Sequence, residues 1–365
     1  MVIAVVTGSR SEWGLLKPLV AELVNHHNVT VLGVGSHTSP EFGLTEWLVD
    51  AELPDSAGLI CFETLLSSDS TCGVTKSSAL TLLSLADRFR KSRPDLVVLL
   101  GDRSEILAAA TVAFDARIPI AHIHGGEETA GSQDNVRRHC ITLMASYHFA
   151  ATEWAAQRIA DMRETALRVD GGVWHVGSLG FDGLPEPKVE KGKRLLLLYH
   201  PVTNLEDDGM EHLENLLRSL PDAVDVIGSN SDQSGRMINE RLSQWVENIQ
   251  WNRRGISIPS FRAHMSRAEF LRVLNSAKAI VGNSSAGIIE APALFTPTIN
   301  VGPRQQGREC AASVINAAGS EESIHAAFDV LHSPEFQLRL KGGDWPRPYG
   351  GGGAVGRITD AIREL

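Results

Sequence analysis

Short, continuous apolar runs alternate along this chain with longer stretches in which apolar residues recur at helical spacing. Residues 2–7 (VIAVVT), 29–34, 95–100 (DLVVLL), 118–123 and 147–151 read as buried strands, while 13–24, 75–90 and 153–162 carry the period of amphipathic helices. The stretch 177–192 (GSLGFDGLPEPKVEKG) breaks the rhythm with glycine, proline and charge, and reads as a linker between domains. The alternation then restarts, with strands expected at 195–199, 224–227, 256–258, 279–281 and 297–301 and helices at 207–219, 233–246, 267–275, 286–294 and 322–331. A glycine run at 350–353 precedes a last amphipathic helix, 354–365. Strands that are apolar throughout and alternate with helices imply a parallel sheet covered on both faces. The pattern therefore predicts two doubly wound α/β domains, 1–177 and 193–353, facing one another across a cleft lined by the C-terminal ends of their strands.

Composition narrows the function classes rather than the fold. The 365 residues carry a formal net charge of −10, from 34 basic and 44 acidic side chains, with no block of Lys or Arg. A nucleic-acid partner, which calls for a basic stripe, is not expected. Any anionic ligand must be held by locally placed groups. The four cysteines form no C-x-x-C pair, and reduced thiols are expected. The apolar start of the chain ends at Gly8, shorter than a signal-peptide core, and no apolar run reaches the length of a membrane span. A cytoplasmic protein with no membrane partner is expected.

Two kinds of chemistry are written at strand exits. For anions, Gly282-Asn283-Ser284-Ser285 ends a strand where a helix is expected to begin, so that backbone N–H groups, two hydroxyls and the helix dipole could receive a phosphate. Glu290, inside that expected helix, could accept ribose hydroxyls. The competing reading makes Ser284 a plain helix cap. Arg10 follows the first strand in a turn that matches neither a P-loop nor the dinucleotide glycine fingerprint, and is read either as a diphosphate contact or as a solvated surface arginine. Arg304 and Arg308 follow another strand exit, with forks suited to phosphate oxygens.

For proton transfer, Asp102-Arg103 follows the DLVVLL strand, HIHGGE (122–127) follows the next, and Asp134 and His139 lie just beyond. Topology brings Asp102, Glu127 and Asp134 toward one region, where clustered carboxylates raise one another's pKa and can divide into acid and base. A metal held by His122, His124, Glu127 and Asp134 is the competing reading, as is a pair of packed sheet histidines. His200, at the first strand exit of the second domain, faces the expected cleft or serves as a packing residue.

Together these stretches resemble the hydrolysing UDP-N-acetylglucosamine 2-epimerases of sialic and nonulosonic acid pathways. The matching segments, in the family's order, are TGSRSEWGLLKPL (7–19), GDRSEILAAA (101–110), HIHGGE (122–127), DNVRRHCIT (134–142), YHPVT (199–203), NSD (230–232), GNSSAGIIEAP (282–292) and INVGPRQQGRE (299–309). The resemblance implies two Rossmann-like domains of GT-B type, with the helix at 354–365 crossing back to the first domain. It implies a nucleotide-sugar substrate, a homodimer or homotetramer, and neither metal nor redox cofactor. Asp102, Glu127 and Asp134 match the catalytic carboxylates, with Arg103 beside the sugar and His139 nearby. Arg10, His200, Asn283, Ser284, Ser285 and Glu290 match the nucleotide and diphosphate contacts, with Asn230, Asp232 and Arg304 close to them. Trp13, Asn135 and Arg137 depart from the usual family residues near the sugar, which points to a modified hexosamine, such as a 2,4-diacetamido sugar, or to a different nucleotide. A GT-B glycosyltransferase and a non-catalytic nucleotide-sugar sensor are the alternatives.

Overall fold

The computed structural model describes residues 1–365 apart from 67, 69, 169, 189, 222, 230–233, 253–258, 264 and 344, and apart from the side chains of 250–252. The expectations at Asn230 and Asp232, and of a strand at 256–258, lie outside the described residues. The chain forms two compact units. The first comprises Met1–Glu127, Asp134–Gly183 and Tyr349–Leu365; the second comprises Glu128–Gln133 and Leu184–Pro348.

In the first unit, strands β1 (Val2–Thr7), β2 (Asn28–Gly33), β3 (Gly58–Cys61), β4 (Leu96–Leu100), β5 (Ile120–Ile123), β6 (Tyr147–Ala150) and β7 (Gly172–His175) alternate with helices. The helices are α1 (Arg10–Leu23), α2 (Glu46–Glu52), α3 (Thr71–Lys91), α4 (Ser104–Asp115), α5 (Asp134–Met144) and α6 (Glu153–Thr165). The strands pair in parallel in the order β3-β2-β1-β4-β5-β6-β7, so the direction of winding reverses between β1 and β4. Successive side chains of a strand point to opposite faces. Accordingly Ile3, Val5, Leu96, Val98 and Leu100 enter one core with Trp13, Leu16 and Leu19 of α1, while Ala4, Val6, Val97 and Leu99 enter another with Leu85, Phe89, Ile106 and Ala109.

The second unit holds β8 (Leu195–Leu198), β9 (Val224–Ile227), β10 (Ser260–Arg262), β11 (Ala279–Gly282), β12 (Thr298–Val301) and β13 (Val314–Ala317). Its helices are α7 (Met210–Ser219), α8 (Gly235–Asn252), α9 (Arg267–Ser276), α10 (Glu290–Ala293), α11 (Glu321–His332) and α12 (Pro334–Gly342). The parallel order β10-β9-β8-β11-β12-β13 puts this unit's reversal between β8 and β11. The tetraleucine β8 supplies both cores, Leu195 and Leu197 on one face and Leu196 and Leu198 on the other.

The final helix, α13 (Ala354–Arg363), belongs to the first unit. Ala354, Ile358, Ala361 and Ile362 share a core with Trp13, Leu16, Leu19 and Leu23. Burying Ile358 and Ile362 is worth about 2 kcal/mol each. Asp182 caps the helix by accepting from Gly353 N and, at 2.6 Å, from Val355 N.

One expected element is corrected. Residues 286–294 do not form a continuous helix; a 3₁₀ turn, Ser285–Gly287, is followed by the single turn α10. The Thr298 hydroxyl takes the Gly287 carbonyl at 2.6 Å, and Pro292 has no N–H to give to Ile288, so the α-helical ladder cannot run through. Among the described residues no helix is long and apolar enough to cross a membrane.

Candidate active site

At the reversal point of the first unit, β1 runs into Gly8-Ser9 and the start of α1, and β4 into Gly101-Asp102-Arg103. Open α/β sheets bind ligands outside the carboxyl ends of their strands at such a point. Ser9 caps α1, and its hydroxyl accepts from Glu12 N; Glu12 in return reaches back and accepts from Gly8 N at 2.6 Å. Arg103 Nε donates to Glu105 Oε1 at 2.7 Å and lies 3.8 Å from Glu12 Oε1. The arrangement is tight, because a Cβ on Gly8 would sit 2.4 Å from Glu105 Oε1. Burial pushes the Glu12 carboxyl up to about 8; Arg103 pulls against it, and Glu105 and Asp102 add to it. The carboxyl held high is thus Glu12, which was not among the expected acids. Arg10, the first residue of α1, has its guanidinium lowered by burial and stays charged at neutral pH.

The expected carboxylates Asp102, Glu127 and Asp134 are interleaved with arginines from α5. Arg138, almost fully buried, pairs with Asp102 Oδ2 and donates to Glu127 O at 2.8 Å. Arg137 donates to Asp134 Oδ1 at 2.7 Å. Asp134 opens α5, and His139 follows Arg138 on it, half-buried. His124, just past β5, has positive φ (61°); its Nε2 accepts from Leu179 N and its Nδ1 faces Glu127 Oε1 at 3.8 Å.

The histidines expected as possible metal ligands are otherwise occupied or apart. His122 donates from Nε2 to Gly101 O at 2.7 Å, leaving Nδ1 to accept from the Thr142 hydroxyl at 3.2 Å. Burial lowers it to about 4, so it is neutral at pH 7 with both ring nitrogens used. Among the described residues no three His, Cys, Asp or Glu side chains converge as a metal would require.

In the second unit the reversal point is locked by Asn283. Its Oδ1 accepts from His200 N and its Nδ2 donates to His200 O, both at 2.7 Å, joining the exits of β8 and β11. His200 Nδ1 lies 3.0 Å from Ser229 Oγ at the exit of β9. Arg304 Nη1 donates to Asn283 O at 3.3 Å and Nε to Pro201 O at 3.2 Å; Gln305 Nε2 shares the Asn283 carbonyl at 2.8 Å. Ser284 is a cap, its hydroxyl accepting from Ala286 N, and half-buried Ser285 opens the 3₁₀ turn. Glu290 is buried, with Arg267 Nη1 3.3 Å away. Arg10, Asp102, Arg103, Glu127, Asp134 and His139 therefore belong to the first unit, and His200, Asn283, Ser284, Ser285, Glu290 and Arg304 to the second.

Glu12, Glu105 and Arg138 escaped sequence reasoning. A signal existed for two of them: Ser9-x-x-Glu12 is a capping-box spacing, and Arg138 stands four residues after Asp134 in a helical stretch.

A family profile described as UDP-N-acetylglucosamine 2-epimerase matches residues 21–363. The GDP/UDP-N,N'-diacetylbacillosamine 2-epimerase (hydrolyzing) of Campylobacter jejuni is 31% identical over 354 residues, covering 92% of this chain and 88% of that protein. The UDP-N,N'-diacetylbacillosamine 2-epimerase (hydrolyzing) of Legionella pneumophila is 30% identical over 363 residues, covering 94% and 92%. Among solved structures, the Methanocaldococcus jannaschii UDP-GlcNAc 2-epimerase in complex with UDP-GlcNAc and UDP superposes with a TM-score of 0.75 at 18% identity, covering all of both chains, and shares the fold of two Rossmann-like units of GT-B type. By the extent of the family match and the identity to these relatives, the chain belongs to the UDP-N-acetylglucosamine 2-epimerase family.

Proposed function

We propose that this protein is a hydrolysing 2-epimerase that converts a UDP-linked N-acetylhexosamine, UDP-GlcNAc or a 2,4-diacetamido-6-deoxy analogue, into a free ManNAc-type sugar and UDP for nonulosonic acid synthesis. The observation that carries the reading is the acid–arginine constellation Asp102–Arg138–Glu127 with Asp134–Arg137 at strand exits of the first unit. The diacetamido sugar named for the two relatives supports the second substrate.

The C2 proton is not acidic, so its removal has to be coupled to departure of the diphosphate. One of the carboxylates Asp102, Glu127 and Asp134 takes the C2 proton as the C1–O bond to the diphosphate breaks, leaving a 2-acetamidoglycal. A carboxylic acid of the same set returns a proton to C2 from the opposite face, and water adds at C1. Arg103 and His139 hold the sugar. The charge that grows on the leaving diphosphate is met by Arg10, His200, Arg304 and the Asn283–Ser285 turn, while Glu290 holds the nucleoside. Catalysis on this reading uses neither metal nor redox cofactor, and the enzyme works as a cytoplasmic homodimer or homotetramer.

The test is product NMR in deuterated, oxygen-18-labelled water with each of the two UDP-sugars. Free sugar carrying deuterium at C2 and labelled oxygen at C1, together with UDP, is expected. A UDP-linked 2-epimer at equilibrium, or transfer of the sugar to an added acceptor, would overturn the reading.

A further inference from the structure

Glu127 and Asp134 are separated by six residues, Glu128–Gln133, that pack with the second unit although the residues on either side belong to the first. The seat of this segment is specific. Ala130 N donates to Gln306 O at 2.9 Å, and Asn204 Nδ2 donates to Ala130 O at 2.6 Å. Gln133 N donates to the Thr203 hydroxyl at 3.0 Å. Between these anchors Ser132 N closes a turn on Thr129 O at 3.1 Å, with both side chains buried. A Cβ at Gly131 would lie 2.6 Å from Arg304 Cα and 2.7 Å from Arg304 N, so the segment lies directly on the backbone of the arginine that grips the Asn283 carbonyl.

Each residue beyond an anchored peptide unit adds only two soft dihedrals. Gln133 N is one residue before Asp134, and Ala130 is three residues after Glu127. We propose that Thr203 and Asn204 are positioning residues: by fixing Gln133 and Ala130 to the loop at the exit of β8, whose Pro201 carbonyl accepts from Arg304 Nε, they let a nucleoside diphosphate held at Arg304 and Asn283 set the backbone from which Glu127 and Asp134 project. This rests on the proposed function for the role of the two carboxylates, but not for the coupling itself. Neither Thr203 nor Asn204 is assigned a contact with substrate. A displacement of about 1 Å in a reacting group lowers rates by roughly a hundredfold, so loosening either anchor costs turnover while the nucleotide still binds.

The experiment measures hydrogen exchange in peptides spanning 124–137 with and without UDP, together with UDP calorimetry and steady-state kinetics, on the full-length chain. In the wild type, UDP slows exchange across 128–134. In Thr203→Val and Asn204→Ala the UDP affinity stays within about twofold, that protection is lost, and kcat falls about tenfold or more at little changed KM. Thr203→Ser, which keeps the hydroxyl, restores both. UDP that leaves 128–134 unprotected in the wild type overturns the proposal, as do variants that keep both protection and kcat. Absence of turnover in the wild type with protection intact would instead count against the proposed function alone.

Discussion

At Gly8 the backbone amide that mononucleotide folds commonly turn toward a phosphate donates to a carboxylate of the chain itself, Glu12. The cost of that choice is electrostatic. Below 4.5 the Glu12 carboxyl is protonated in both folded and unfolded chains; between 4.5 and about 8 the unfolded chain releases the proton and the native one keeps it. The contribution of Glu12 to native stability therefore falls as pH rises through that window and does not change further above it. Glu12→Gln keeps an acceptor for Gly8 N and has no proton to lose. Its melting temperature should pull ahead of wild type as pH rises toward 8, by an amount on the order of a few kcal/mol in stability. A wild type that gains on the variant over the same range would contradict the assignment. On the proposed function, residues also divide by task. Asp102→Asn and Glu127→Gln should cut turnover roughly a hundredfold or more with UDP affinity nearly unchanged, whereas Ser285→Ala or Glu290→Gln should weaken UDP about tenfold. Calorimetry beside turnover assays separates the two, and carboxylate variants that lose UDP affinity but keep turnover would reverse the division. Asp102 and Glu127 stand out in the sequence because each follows an apolar strand, Asp102 after Gly101 at the end of β4 and Glu127 after the turn 124–126. Glu12 does not, because S-x-x-E reads as a helix cap, which it also is.

Legibility among elements follows burial. Central strands such as VIAVVT, LVVLL and LLLL are apolar throughout because both faces are covered, and the sequence shows them within a residue or two. The edge strands β3, β7 and β13 are short and half-exposed, with Gly58, Gly172 and Asn316 diluting the signal, and they emerged only in the structure. Helix α4 is nearly all buried, so it lacks the polar face that announces a helix. The break at 287–292 has one local sign, Pro292, and one remote cause, the Thr298 hydroxyl on the Gly287 carbonyl, which no local pattern could have shown. The end of β11 is tightly constrained. Gly282 has φ 134°, and a Cβ there would meet Leu198 O at 2.1 Å. Gly282→Ala is expected to cost roughly 3 kcal/mol and to open the Asn283–His200 clamp. Urea unfolding measures the first and UDP calorimetry the second; an alanine variant of wild-type stability would mean that β8 and β11 separate easily.

Across the whole molecule, three histidines of the first unit are buried in the neutral form. His37 is held between the Thr7 and Thr45 hydroxyls, His122 between Gly101 and Thr142, and His148 lies against Arg163. Burial lowers them to about 4, 4 and 3 from an ordinary 6.5. As pH falls below 6.5 the unfolded chain takes up protons that the native chain refuses, so stability drops steadily toward pH 4. Thermal melts between pH 7 and 4 should show this slope, and His148→Phe should flatten it; a slope unchanged in the variant would remove His148 from the account. A different consequence follows from α13, which closes the core around Trp13 and Leu23. The first unit is discontinuous, and roughly 170 residues must be made between Gly183 and this helix, some ten to thirty seconds of synthesis at typical rates. While the chain is nascent, an apolar groove along α1 has no lid until these later residues supply one. Chains stopped before Ala354 should therefore carry a complete second unit beside an open first one, bind a hydrophobic dye and aggregate, and a peptide of 354–365 supplied in trans is the natural means of rescuing them.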